Sequence, residues 1–391
     1  MDSSFKFLVA EMGLSRLGVS AFDLMIIWIL LHFTGSPVLA GLGDGMLSLP
    51  LMASFFVGAA VDRLRRRKLI AAAASAVRAA ALIPLSLAVE AGPAIGVVAA
   101  SYAAAFLVGF TSDVLNSVRA VWSKELLGEG EYKAGSGAYN AVGSLAEALG
   151  FGIPGLLLGL GYARSMAVLA AVLAASLIPL AAVRAPPGSA SSMDAGASVR
   201  EGVRFVRESA FLRELMVVGL IANLVFGMSG VLFTDLIQVR LGLPPIYMSM
   251  LLFTIMAGSI AGSAAASRVR GSVGAIWTAC MVSIGLAAIA IGASSNVFLD
   301  VAPAAVIGVG IGVVNVVSSA AMLKAIPRDM MARAQGAFNT FALTATFASG
   351  AVGGLLISAV TLRGAFLFLG AVLMLINLLW PRFKALSSIR V

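Results

Sequence analysis

The chain has 391 residues, 60% of them hydrophobic and 12% charged, with a mean hydropathy of +1.02. An ordinary soluble domain carries about twice that charged fraction, so a water-soluble globule is excluded. One cysteine (Cys280) and one histidine (His32) exclude a disulfide framework, a thiolate metal site and a multi-histidine metal centre, so no metal or cofactor is expected.

A window of about twenty residues picks out twelve apolar spans, at 14–34, 38–60, 69–89, 94–117, 135–159, 164–183, 212–237, 246–266, 273–293, 298–322, 336–360 and 364–381. Met1 to Leu14 is short and mixed, and the first long apolar run continues as a full span, so a cleavable signal is not expected. Short, nearly uncharged turns (34–37, 91–93, 294–296) alternate with longer basic ones. Between the second and third spans, the stretch 58–68 packs five cations and one carboxylate (Asp62, Arg63, Arg65, Arg66, Arg67, Lys68) between two runs that each cross a bilayer. Cations in such a turn stay on the cytoplasmic side and fix the orientation of both flanking helices.

With both termini placed inside, Arg164, Arg240 and Arg363 fall in outer loops and Arg78 falls within the third span; the other 23 of the 27 Lys and Arg lie on the inner side. This asymmetry accounts for the net charge of +9 without nucleic acid. The expected partners are the lipid bilayer of a cell membrane, a small-molecule substrate and protons.

The longest break between spans, starting at Val183, has linker composition, with Pro186, Pro187 and small polar residues. After it, Val199, Val203 and Val206 share one helical face and Arg200, Glu201, Arg204, Arg207 and Glu208 the other. Two readings are open: an amphipathic helix on the inner membrane surface, or a solvated linker helix. The expected division is residues 1–184 as a first six-helix half, 185–210 as the cytoplasmic linker and 211–391 as a second six-helix half, the whole acting as a monomer.

An internal repeat supports that division. Gly137-Ala-Tyr-Asn140 opens the fifth span and Gly336-Ala-Phe-Asn339 the eleventh, an offset of 199 that also pairs Asn116 with Asn315 and Gly155 with Gly354. Six spans separate the members of each pair, so the halves are parallel. Such a repeat is expected of transporters built from two six-helix halves around a central cavity. The four asparagines are read as repeat-related packing positions.

The basic loop, with a Gly, the pair Asp62-Arg63 and clustered Arg/Lys, resembles the loop between helices two and three of the major facilitator superfamily. Within it, Ser15–Gly18 through Phe33–Pro37, Arg78, Gly202–Val206 and Leu212-Arg213 resemble the macrolide-efflux and enterobactin-exporter branch. The loop carries Arg65 where the superfamily usually has Gly, and Gly152-Ile153-Pro154-Gly155 keeps the fifth-helix antiporter signature only in part. The resemblance implies an all-α membrane protein of twelve helices working by alternating access.

No phosphate-cradling loop and no nucleophile with a base is present, so an enzyme is not expected. What remains are ionisable residues at membrane depth, which are costly there and become functional candidates. By helical rise, Asp23 and Arg78 lie about 13 Å from the inner boundary and Glu147 about 18 Å. Carboxylates in poorly hydrated cavities can bind and release protons near neutral pH, so Glu147 and then Asp23 are the expected coupling residues. A salt bridge between Asp23 and Arg78 is the structural alternative. Asp44, in the outer third of its span, is given little weight. A cytoplasmic gate is expected from Asp62, Arg63, Arg66 or Arg67, Asp113 and Arg119, closed when the cavity faces outward. The expected function is proton-coupled efflux of an amphipathic or hydrophobic compound. A siderophore or metabolite exporter, an uncoupled facilitator, and a non-transporting receptor or scaffold of the same fold are the alternatives.

Overall fold

The computed structural model describes residues 2–62, 66–128, 131–184, 209–326 and 331–379, together with 383, 385 and 389. Every regular element among them is helical, and the chain divides into two compact units, one of Met1–Met193 with Pro244–Ser249, the other of Asp194–Leu243 with Met250–Val391. The linker helix expected at 199–208 lies outside the described residues.

The first unit opens with α1, Ser3–Thr34, which Gly35 ends in the left-handed conformation (φ 63°), its N–H bonded to the Leu31 carbonyl. Helix α1 starts well before the expected residue 14. Phe5, Leu8, Val9 and Met12 repeat at helical spacing and are nearly inaccessible, packed with Val61, Ala71, Val118 and Trp122. The short, mixed stretch before residue 14 thus forms buried first turns of α1.

Ser36 caps α2 (Pro37–Ser48), a 3-10 turn follows at Leu49–Ala53 around Pro50, and α3 runs Ser54–Asp62. The third crossing is α4 (Arg67–Ala80) followed by α5 (Leu82–Ala91), and the sixth is α9 (Tyr162–Ala175) followed by α10 (Leu177–Ala182). Both break at the same tetrapeptide, Leu-Ile-Pro-Leu at 82–85 and 177–180. Pro84 and Pro179 have no N–H to offer residues 80 and 175, and each helix ends at that residue. Between them lie α6 (Ala94–Leu126), α7 (Tyr132–Gly152) and the short α8 (Pro154–Leu158). Helix α1 packs against α2, α6, α7 and α9. Its contact with α7 is close because Gly150 leaves room for the Leu17 carbonyl, where a Cβ would lie at 2.7 Å. The small residues of α7 thus admit a neighbouring helix.

The second unit holds α11 (Ala210–Gly227), α12 (Ser229–Asp235) with a π turn at Leu236–Arg240, α13 (Ile246–Ala266) from Met250 onward, α14 (Val273–Ala293), α15 (Val297–Ala325) and α16 (Met331–Leu375). Helices α13 and α15 interlock through two Gly-x-x-x-Gly pairs. Gly258 and Gly262 face the carbonyls of Ala305 and Val309, while Gly308 and Gly312 face those of Ile255 and Ser259. No Cβ fits at these four positions without moving a backbone.

Among the described residues, ten helical segments are long and apolar enough to cross a bilayer. Helices α2 and α3 together supply a further crossing. Helix α16 turns at Thr361 (φ 68°, ψ 162°) and accounts for two, which completes the twelve of the expected all-α, two-half fold. The 199-residue offset is visible in the backbone. Helices α6 and α15 end at Leu126 and Ala325, followed by Leu127 (φ −103°, ψ 131°) and Ile326 (φ −106°, ψ 129°). Helices α7 and α16 then begin at Tyr132 and Met331. One residue off that offset, positive φ recurs at Gly161 before α9 and at Thr361 within α16.

Candidate functional site

The first unit is held at its basic end by a buried ion pair that sequence reading missed. Glu11 on α1 is 0% exposed and Arg119 on α6 is 4% exposed. Arg119 Nε donates to Glu11 Oε2 at 2.7 Å and Nη2 to Oε1 at 2.6 Å, a bidentate fork, while Nη1 donates to Asn116 Oδ1 at 3.1 Å. Arg119 was expected in the gate and Asn116 in repeat packing; the structure joins them, with Glu11, into one α1–α6 clamp. The available signal was a lone carboxylate inside the apolar stripe from Phe5 to Met12.

Arg78 and Asp23 do not pair. Arg78 is 0% exposed and its Nη1 donates to Ser15 Oγ at 2.7 Å. Positions 15 and 23 are two turns apart on α1, about 12 Å along the axis, so the two residues meet different levels of that helix. Asp23 instead has its side chain within interaction reach of Asp44 on α2, and Glu147 on α7 lies within electrostatic reach of Asp23. Asp23 Oδ1 has no hydrogen-bond partner. Two carboxylates are acceptors only, so a hydrogen bond between them requires that one carry a proton. Asp44, given little weight from its depth, is thus the direct partner of Asp23.

Glu147 has a cation beside it, which its depth alone did not reveal. Arg16 Nη1 lies 3.9 Å from Glu147 Oε2, with the two side chains 46% and 39% exposed. At that distance and exposure the pair contributes little. Gly143 opposite gives the Arg16 guanidinium its room, since a Cβ there would lie 2.6 Å from Nη1.

The expected contact between Arg66 or Arg67 and Asp113 is not formed. Arg67, 6% exposed, donates from Nη1 to Glu125 Oε1 at 2.9 Å, tying the start of α4 to the end of α6. Arg66 is exposed. Asp113 is 5% exposed and accepts from Ser54 Oγ at 2.6 Å through Oδ1, leaving Oδ2 without a partner. Lys68 Nζ donates to the carbonyls of Ala181 (2.6 Å) and Val183 (2.8 Å), capping α10. Arg63 and the side chains of Asp62 and Asn339 lie outside the described residues. Asn140 and Asn315 are exposed and bring no side-chain hydrogen bond to the site. Among the described residues, no group of three or more His, Cys, Asp or Glu is placed to hold a metal ion.

The fold and these positions can be set beside known proteins. A family model described as Major Facilitator Superfamily matches residues 12–349. The multidrug efflux pump Tap of Mycolicibacterium fortuitum is 27% identical over 382 residues, covering 92% of this chain and 91% of that protein. Among solved structures, the nucleoside transporter NupG superposes with a TM-score of 0.75 at 13% identity, covering 99% of this chain and 100% of that one. A POT family transporter in complex with 5-aminolevulinic acid gives a TM-score of 0.73 at 15% identity, with coverage of 98% and 96%. At these identities the structural matches establish the fold.

Proposed function

The chain belongs to the Major Facilitator Superfamily, and from that premise we propose that it is a proton-coupled exporter of a small amphipathic or hydrophobic compound, with the Asp23–Asp44 carboxyl pair as the proton-carrying group. The observation that supports this reading is the closeness of the two carboxyl groups, Asp23 and Asp44, inside the apolar helices α1 and α2. Such a pair holds one proton and gives it up when its surroundings become wetter or when a cationic group approaches. Glu147, within electrostatic reach of Asp23, makes loss of that proton depend on what occupies the space around α7. Protonation from one side and release on the other, with substrate bound between, is antiport. The similarity to a multidrug efflux pump supports export, and the abundance of apolar side chains supports an apolar or amphipathic substrate.

In this reading the basic end of the molecule faces the cytoplasm, as the distribution of Lys and Arg requires. The Arg67–Glu125 and Glu11–Arg119 pairs tie helices of the first half to one another there. Gating falls to Asp113, whose Oδ2 is free to accept from another helix as the transporter cycles.

Reconstituted vesicles with an imposed pH difference test the coupling. Asp23→Asn and Asp44→Asn should each abolish uphill accumulation of substrate while leaving downhill exchange measurable. Glu147→Gln should shift the pH dependence of uphill transport without abolishing it. Uphill transport at the wild-type level by both Asp variants would exclude the pair as the coupling site, and loss of it in Glu147→Gln alone would return that role to Glu147. Transport by the unmodified protein that is indifferent to the pH difference would identify an uncoupled facilitator.

A further inference from the structure

The proton-coupling reading makes no use of Arg78, although its surroundings are unusual. The guanidinium is 0% exposed, and so is Ser75, one turn earlier on the same face of α4. Beyond the Nη1 bond to Ser15, Arg78 Nε and Nη2 and the Ser75 hydroxyl have no hydrogen-bond partner. The charged groups that act on Arg78 are Arg119, of like sign, and Glu11. Both oxygens of Glu11 are already engaged by Arg119. Around Arg78, two buried guanidinium groups, its own and that of Arg119, therefore stand against one buried carboxylate; Asp113, also buried on α6, is not among the charges that act on Arg78. A surplus positive charge in such a place is costly unless it is neutralised.

Water would satisfy the unused N–H groups but leave the charge. An anion does both. The donors suit one: two N–H groups of a planar guanidinium, the Ser75 hydroxyl, and the Ser15 hydroxyl, which accepts from Arg78 and keeps its own proton to donate. These come from two helices and stand beside a third that contributes the like charge of Arg119. We propose that the unpartnered face of Arg78 is a binding site for a small monovalent anion of halide size, held between α1, α4 and α6 as a counter-ion of the first half. The proposal is independent of the coupling role assigned to Asp23 and Asp44, and its test does not involve transport.

Thermal unfolding of the purified full-length protein, followed by tryptophan fluorescence, would be measured in sodium gluconate. Gluconate would then be replaced stepwise by chloride or bromide at constant ionic strength, so that general screening does not change. The expected result is a saturable rise in Tm with either halide. Ser75→Ala removes one donor to a charged ligand and should raise the half-saturating halide concentration about tenfold. Arg78→Met keeps the length of the side chain and should remove the halide dependence altogether; should that variant fail to fold, Ser75→Ala decides. A wild-type Tm that is the same in gluconate and in chloride overturns the site and leaves water as the partner of Arg78. An unchanged half-saturating concentration in Ser75→Ala, or retained halide dependence in Arg78→Met, overturns it equally, because the halide would then act elsewhere.

Discussion

The two halves share a backbone plan and differ in what they bury. At the 199-residue offset, Asp113 of the first half corresponds to Gly312, Arg119 to Ser318 and Glu147 to Thr346. The second half closes its helices with glycine against carbonyl, as at Gly308 and Gly312, and satisfies Ser318 within its own helix through the Val314 carbonyl at 2.6 Å. The first half keeps Gly109, which packs on the Leu47 carbonyl as Gly308 packs on that of Ile255, but places charge around it. Glu11, Arg67, Arg78, Asp113 and Arg119 are all buried there, whereas the buried charges among the described residues of the second half, Asp235 and Asp300, lie near span ends. Since a neutral version of each position packs well in one half, the charges in the other are not demanded by the helix packing. In the proton-coupled reading proposed above, they mark the half that carries the coupling and gating charges.

The largest effect should come from breaking the pair that, among the described residues, is buried on both sides. Glu11→Gln leaves Arg119 without a counter-charge in an inaccessible place, a loss of about 3–5 kcal/mol. The variant should express poorly and unfold at a much lower temperature. Glu11→Gln combined with Arg119→Met, which makes the first half resemble its neutral counterpart, should recover most of that loss. A single variant as stable as the unmodified protein, measured by thermal unfolding in detergent, would remove the clamp from the account.

A smaller effect on stability, with a larger one on transport, is expected at Asp113. Asp113→Gly installs the residue that stands at the equivalent position of α15, so the backbone has a working precedent. The loss of the Ser54 hydrogen bond is offset by removing a buried carboxylate with one unpartnered oxygen. A glycine inside a helix costs about 1 kcal/mol, and the change in stability should stay near that figure while transport falls at least about tenfold, the scale of a 1.4 kcal/mol bias between gate states. Wild-type transport by Asp113→Gly would show that this carboxylate takes no part in gating. Loss of folding would show that the halves are less interchangeable than their backbones.

The spans, the basic loop and the parallel repeat were legible because each depends on distance along the chain alone: about twenty apolar residues per crossing, charge in the turns, one offset throughout. The pairings were not, because a pairing depends on which side of a helix a residue occupies. Depth put Asp23 level with Arg78, but Arg78 meets Ser15, and Asp23 meets Asp44 on a helix whose carboxylate had been judged too far out. Arg16 was counted only as an inner cation and sits beside Glu147. Glu11 lies before residue 14, where the apolar window begins, although the spacing of Phe5, Leu8, Val9 and Met12 marks a buried face that extends the helix to it.

The smallest expected effect tests the comparison at its most local point, the turn between the last two helices of each half. Gly161 (φ 97°, ψ 147°) and Thr361 (φ 68°, ψ 162°) hold matching backbone conformations in a region that is essentially reserved for glycine. Glycine takes that conformation without strain, whereas a β-branched threonine is held there at a cost of about 1–3 kcal/mol. The one compensation at Thr361 is a long hydrogen bond, in which its Oγ1 accepts from the Gly364 N–H at 3.4 Å. Thr361→Gly relieves the strain but gives the unfolded chain more freedom, which returns about 0.5–1 kcal/mol. The net result should be a gain of about 1 kcal/mol, read as a small rise in Tm with transport unchanged. The reciprocal change, Gly161→Thr, imposes the strain on the half that lacks it and should lower Tm by at least as much as Thr361→Gly raises it. If Thr361→Gly is destabilising, the threonine side chain contributes more to that turn than its single hydrogen bond accounts for, and the two turns are alike in backbone angles only.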